Sequence, residues 1–167
     1  GYGGEKIKPS LDSLEVLSVN SLAVVPYTFM RNPTKPTELS IPKGAGGEND
    51  WATICSLREA AKRGWFTLLK PQIWIGGGHW PGDVAFTSNE DWDTFFRNYE
   101  FWIMHYALLA EQEGVDAFCL GTELVRTTVD HPDRWREIIA KVRAVYGGQL
   151  TYAANWGEEF ENFAFWE

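Results

Sequence analysis

Four times along this chain, a stretch with apolar residues at helical spacing gives way to a short, largely apolar run that reads as a strand. No other feature narrows the possible folds as much. The helical stretches carry Leu11, Leu14 and Leu17 behind Ser10, then Trp51, Ile54, Leu57 and Ala61 behind Asn49 or Asp50. A third, over about residues 90–113 behind Asn89, carries Trp92, Phe95, Phe96, Tyr99, Trp102, Ile103, Tyr106 and Ala110. Pro132 opens the fourth, with Trp135, Ile138, Ile139, Val142 and Val145 on one side. The extended runs are residues 21–29, 66–74, 115–124 and 150–156. Strands alternating with helices predict right-handed crossovers and a parallel sheet, hence an α/β protein. Four strands cannot close a barrel, and an eight-unit barrel needs ~250 residues or more. The 167 residues therefore predict one of two things. One is an open doubly wound domain; the other is a partial barrel over residues 1–167 that lacks its first strand and last three.

The run 115–124 ends in a single carboxylate. Period-two alternation puts Val115, Ala117, Cys119, Gly121 and Glu123 on one face and Phe118 and Leu120 on the other. Small residues inward and bulky ones toward covering helices suit a strand of a closed parallel barrel. Glu123 then falls at the carboxyl end, where barrel enzymes keep their chemistry, and a carboxyl group there suits a general acid. Its structural alternative is an ion pair with a neighbouring Lys or Arg. In run 66–74, Phe66, Leu68, Lys70, Gln72 and Trp74 share a face that turns polar toward its carboxyl end. Lys70 and Gln72 can hold ligand hydroxyls there. Lys70 can also pair with Glu123 or form a Schiff base as in barrel aldolases. Asn155, ending the last run, can donate to a substrate hydroxyl or to Glu123.

Charge narrows the partners. With 15 Lys and Arg against 23 Asp and Glu the net charge is -8, which disfavours a phosphate backbone or an anionic membrane and fits a neutral ligand. Nine Trp, six Tyr and ten Phe supply core side chains and, where exposed, rings that stack on sugars; Trp74, Trp80 and Trp156 are the candidates. Cys55 and Cys119 are expected as buried free thiols. His79, His105 and His131 lack paired ligand spacing, so no metal and no cofactor are expected. The glycines at 76–78 precede neither a Lys-Ser nor a Lys-Thr, which argues against a phosphate loop, and there is no Gly-x-Ser-x-Gly elbow.

Several runs carry a resemblance: Val25-Pro26-Tyr27, Leu69-Lys70-Pro71-Gln72, residues 106–111, the run 114–124 with its Gly121-Thr122-Glu123-Leu124, and Tyr152-Ala153-Ala154-Asn155-Trp156. They resemble glycoside hydrolase family 113, the β-mannanases of the clan A barrels. The resemblance implies a (β/α)8 TIM barrel that cleaves β-1,4-mannosidic bonds with retention, with Glu123 as acid/base and a secreted or periplasmic setting. It places the nucleophile, a second glutamate, at the end of a seventh strand, beyond this chain. Thr122 stands where many clan A enzymes have Asn. Tyr27, Lys70, Gln72, Trp74, Trp80, Asn155 and Trp156 are the expected substrate contacts on an oligosaccharide or mannan-like polysaccharide. Asp83, Glu158 and Glu159 are expected in loops with no strand to fix them, and self-association is expected through open sheet edges.

Overall fold

The computed structural model describes residues 7–44 and 47–162. The glycine-rich start at 1–8 and the acidic, aromatic end at 157–167 therefore fall partly outside the described residues. Within them run helix α1 (Ile7–Glu15), strands β1 (Ser21–Val24) and β2 (Tyr27–Met30), and helix α2 (Asp50–Lys62). Strands β3 (Phe66–Leu69) and β4 (Gln72–Ile75), a 3-10 turn (Pro81–Asp83) and helix α3 (Asn89–Gln112) follow. The chain continues through β5 (Ala117–Thr122), α4 (Val125–Asp130), α5 (Pro132–Val145), β6 (Gln149–Ala153) and a single turn, α6 (Glu158–Glu161).

All strand pairings are parallel. One sheet has the order β1-β3-β5-β6 and a second pairs β2 with β4. Spatial order follows chain order without a reversal, so the sheet winds in one direction. A doubly wound sheet would reverse at a switch point. Of the two folds open from the sequence, this is the barrel segment.

Runs 21–29 and 66–74 each divide at a proline. Pro26 and Pro71 have no N–H to give to the ladder, so β1 stops before β2 and β3 before β4. The pairing nevertheless passes through the break, with Lys70 N donating to Val24 O and Gln72 N to Pro26 O, both at 2.9 Å. Side-chain alternation survives with it. Val24, Pro26, Thr28 and Met30 are buried on one side, as are Thr67, Leu69, Pro71, Ile73 and Ile75, while Phe66, Leu68, Lys70, Gln72 and Trp74 share the other.

The core lies between the sheet and its helices. Val24, Leu69, Phe118 and Leu150 pack there against Phe95, Tyr99, Trp102, Ile103, Tyr106, Trp135, Ile138 and Val142. The aromatic stripe expected of α3 is buried as expected, apart from the partly exposed Trp92. Its cap is Ser88, whose Oγ accepts from Asp91 N at 3.1 Å, one residue before the Asn89 expected from sequence. Asn49 caps α2 by accepting from Ala52 N at 2.9 Å. The buried side of α2 is Ala52, Thr53, Ser56, Leu57 and Ala60, whereas Trp51, expected inside, is 67% exposed and Ala61 is exposed too. The helix is turned so that small residues meet the sheet and the large ring stays out. Helix α1 starts at Ile7, before Ser10, and of its three leucines only Leu11 is buried. Cys119 is buried and Cys55 only half-buried, against the expectation that both are buried. At the amino-terminal end of the sheet the Asp116 carboxylate accepts from Thr67 N (2.7 Å) and Thr67 Oγ1 (2.8 Å), stitching β3 to β5.

Candidate active site

Glu123 follows β5 directly and its backbone is left-handed, at φ 52°. A non-glycine residue holds that conformation at a cost of roughly 1–3 kcal/mol, so its surroundings must enforce it. Two features do. The ladder between β5 and β6 shifts register between Cys119 and Thr122, a bulge that re-aims the residues beyond it. Strand β6 then holds the amides on both sides of the turn: Glu123 N donates to Ala153 O at 2.9 Å and Leu124 N to the Tyr152 hydroxyl at 2.8 Å.

The bulge overturns one expectation. Gly121 does not share the small inward face with Cys119. A Cβ on it would come within 2.7 Å of the Tyr152 ring and 2.9 Å of both Trp135 and the Tyr99 hydroxyl, so it faces the aromatics of the helix layer. Tyr99 Oη donates to Leu120 O at 2.7 Å beside it. Strict period-two counting fails at the bulge, and Glu123 reaches the carboxyl-end rim by its left-handed turn.

The Glu123 carboxylate is half-buried and accepts a hydrogen bond from Trp80 Nε1 at 2.5 Å. Trp80 sits on the loop after β4. Its backbone N–H donates to Asp83 Oδ2 at 3.1 Å, and His79 Nδ1 lies 3.2 Å from the same oxygen. Those contacts, the Trp80 amide first and His79 second, hold Asp83 below the ordinary carboxylate range. The indole lies directly over Gly82, where any Cβ would sit 2.2 Å from the ring. The glycine is what lets the ring lie flat with its N–H on Glu123.

The other sequence-expected residues divide into groups. Tyr27, Gln72 and Trp74 stand together: Tyr27 is paired in register with Gln72, and its ring meets Trp74 edge-to-face at 6.0 Å. Phe29, which the sequence reading did not single out, is paired with Trp74, and the two are 66% and 58% exposed. Its signal was available, since 27 and 29 share a face of one strand. Lys70 lies near the Cys119 thiol, which burial pushes up and which the lysine charge partly offsets. Among the described residues Lys70 makes no ion pair, so the expected alternative of a Lys70–Glu123 bridge does not form. Trp156 is 89% exposed on the turn after β6. Asn155 is half-buried and is engaged through its backbone N–H, which donates to Glu159 Oε2 at 2.6 Å.

Glu159 differs from what sequence suggested. It is not loose in a loop but 1% exposed on α6. Besides the Asn155 amide, it accepts from Tyr152 Oη at 2.7 Å and Thr128 Oγ1 at 2.8 Å. Burial first, then the Glu159 charge, push the Tyr152 hydroxyl well above the ordinary phenol range. Sequence reasoning missed this group because its donors come from α4 and from the end of β6, which no spacing in the sequence links.

The profile of Glycoside Hydrolase Family 113 matches residues 1–167. The chain belongs to this family. Among solved structures it is similar to the GH113 β-mannanase AaManA from Alicyclobacillus acidocaldarius in complex with ManMIm, at 29% identity and a TM-score of 0.87, over 98% of this chain and 53% of that one. A GH113 β-1,4-mannanase solved as a complex matches at 27% identity and a TM-score of 0.87, over 99% and 55%. Another GH113 β-1,4-mannanase matches at 26% and 0.83, over 96% and 54%. The chain thus spans about half the length of the solved structures it matches. No curated protein matches it. Family and fold together make this a parallel α/β segment of a GH113 TIM barrel.

Proposed function

We propose that Glu123 is the general acid/base of a retaining hydrolase of β-1,4-mannosidic bonds, and that the attacking carboxylate comes from sequence outside these 167 residues. The observation carrying this reading is a carboxylate at the carboxyl end of a barrel strand, set there by a left-handed turn and gripped by an indole N–H. A retaining glycosidase uses two carboxyl groups about 5–5.5 Å apart, one protonating the leaving oxygen and one attacking the anomeric carbon. Glu123 takes the first role and, after the first step, activates water as base. Tyr27, Lys70, Gln72, Trp74, Trp80, Asn155 and Trp156 are its proposed sugar contacts. Of the other carboxylates weighed from sequence, Asp83 is occupied by the Trp80 loop, Glu158 opens α6 with its carboxylate 3.9 Å from the Arg126 guanidinium, and Glu159 is closed off from solvent. The 167-residue chain alone should therefore give no turnover of manno-oligosaccharides, while the complete enzyme does and loses it with Glu123→Gln. Turnover by the short chain that Glu123→Gln abolishes would overturn the reading.

A second reading is a non-catalytic sugar-binding barrel. The exposed rings of Trp74, Phe29 and Trp156 favour it. Titration calorimetry with mannohexaose, run beside the hydrolysis assay on the complete enzyme, separates the two: binding without turnover supports this reading alone.

A further inference from the structure

We infer that Glu159 is a positioning residue for Glu123, acting through the Tyr152 hydroxyl; this rests on the acid/base reading above. A hydroxyl has one proton and two lone pairs. The Tyr152 proton goes to Glu159 Oε1, 2.7 Å away, which leaves a lone pair for Leu124 N–H at 2.8 Å. Leu124 N belongs to the peptide that follows the left-handed Glu123. The chain of bonds therefore runs from a buried carboxylate, through a hydroxyl whose direction that carboxylate sets, to the backbone turn that aims the acid.

The other donors fit one purpose. Thr128 Oγ1, on α4 just past the turn, donates to Glu159 Oε1 or to Val125 O, 3.0 Å away, and Asn155 N–H donates to Oε2. Glu159 thus joins the end of β6, the start of α4 and the turn between β5 and α4 at one acceptor. A neutral amide replaces it poorly. The Asn155 N–H keeps an amide oxygen at the Oε2 position, so the NH2 falls at Oε1, where it donates to the Tyr152 and Thr128 hydroxyls and takes away the acceptor that directed the Tyr152 proton. That proton is then free to turn toward Leu124 N–H, and the hold on the turn loosens. The substituted enzyme would keep its fold, since Trp135, Tyr99 and Phe118 still fill the core, and would lose the aim of its acid.

Leaving-group dependence tests this. A general acid matters when the departing oxygen is a poor leaving group and little when it is a good one. In the complete enzyme, Glu159→Gln and, separately, Tyr152→Phe should lower kcat/KM on manno-oligosaccharide by roughly ten- to a hundredfold, part of the ~10²–10⁴ that a general acid supplies. On 2,4-dinitrophenyl β-mannoside, kcat/KM should stay within about twofold, because glycosylation there needs no acid. A residue that merely supports the fold would reduce both substrates alike, and an idle one neither; either result overturns the inference. Should Glu159→Gln fail to fold, Tyr152→Phe, which removes one oxygen and no carbon, decides. Glu123→Gln runs beside them. If it shows no leaving-group dependence, the acid/base reading fails; if it does and the other two do not, the positioning inference fails alone.

Discussion

Trp80 carries two different predictions for one side chain. As a stacking ring it would act on substrate affinity; as the donor to Glu123 Oε2 it would act on the chemical step. Trp80→Phe keeps an aromatic ring on the loop and removes the N–H together with the part of the indole that lies over Gly82. A hydrogen bond to a charged group is worth about 1.5–3 kcal/mol, and each ~1.36 kcal/mol is tenfold in rate. In the complete enzyme, Trp80→Phe should lower kcat on manno-oligosaccharide about tenfold or more with KM within about twofold. A raised KM with unchanged kcat would return Trp80 to stacking alone. The position of Glu123 at the end of an apolar run was legible in the sequence, because a carboxylate after alternating small and large residues has few other places in a barrel. Its partner was not. Trp80 lies on a loop, where no periodicity predicts a direction, and its ring is fixed by the close approach at Gly82 and the bond to Glu123.

At the scale of elements, the bulge in β5 and the junction between α4 and α5 each store a measurable effect. Gly121→Ala puts a methyl group 2.7–2.9 Å from Tyr152, Trp135 and the Tyr99 hydroxyl, an overpacking of about 1–3 kcal/mol. Urea unfolding should show that loss, and a neutral result would mean the bulge can open to admit the methyl. At the junction, His131 ends α4 and precedes Pro132, with its ring 4.1 Å from that of Trp92. Burial lowers its pKa; Asp130 opposes this and Arg134 reinforces it. The folded state thus favours neutral His131, so its contribution is fully present above the unfolded value of about 6.5. It is lost as pH falls from there through the lower folded value. Unfolding midpoints at pH 7.5 and 5.5 should differ less in His131→Gln than in the parent, and an unchanged difference would remove His131 from the account. The long, strongly periodic elements α3 and α5 were legible, as was the alternation through Pro71; the pairing that runs on past Pro26 was not. The 6-residue α4 was not, because a helix that short has too few residues to show a period. The inside of α2 was misread for a related reason: Trp51 sits at its first turn, where hydrophobic spacing also fits a ring turned outward.

At the scale of the whole molecule, the two faces of the sheet are unequal. The helix-facing row of Val24, Leu69, Phe118 and Leu150 is buried. On the opposite face, in register one residue earlier, Ala23 is exposed, Leu68 half-exposed and Phe66 43% exposed. A closed barrel fills that space with side chains; here its β1 and β3 part is open to water while Ala117 and Cys119 of β5 are buried, and an exposed apolar patch of this kind favours association. If the 167-residue chain self-associates through this face, Phe66→Ser should weaken it. Fully burying such a ring is worth about 1.5–3 kcal/mol, of which somewhat under half is left for Phe66 at 43% exposure, and each ~1.4 kcal/mol is tenfold in dissociation constant, so the midpoint should move upward by a few-fold in sedimentation equilibrium. The stability of the monomer should also fall, because more than half of the ring is already covered, so the midpoint is read below the unfolding transition. Phe101→Ser is the control: Phe101 is 76% exposed on α3 in the helix layer, so its removal should leave the midpoint in place. Dispersal by Phe101→Ser and not by Phe66→Ser would move the contact to the helix layer and show that the inward face does not drive association.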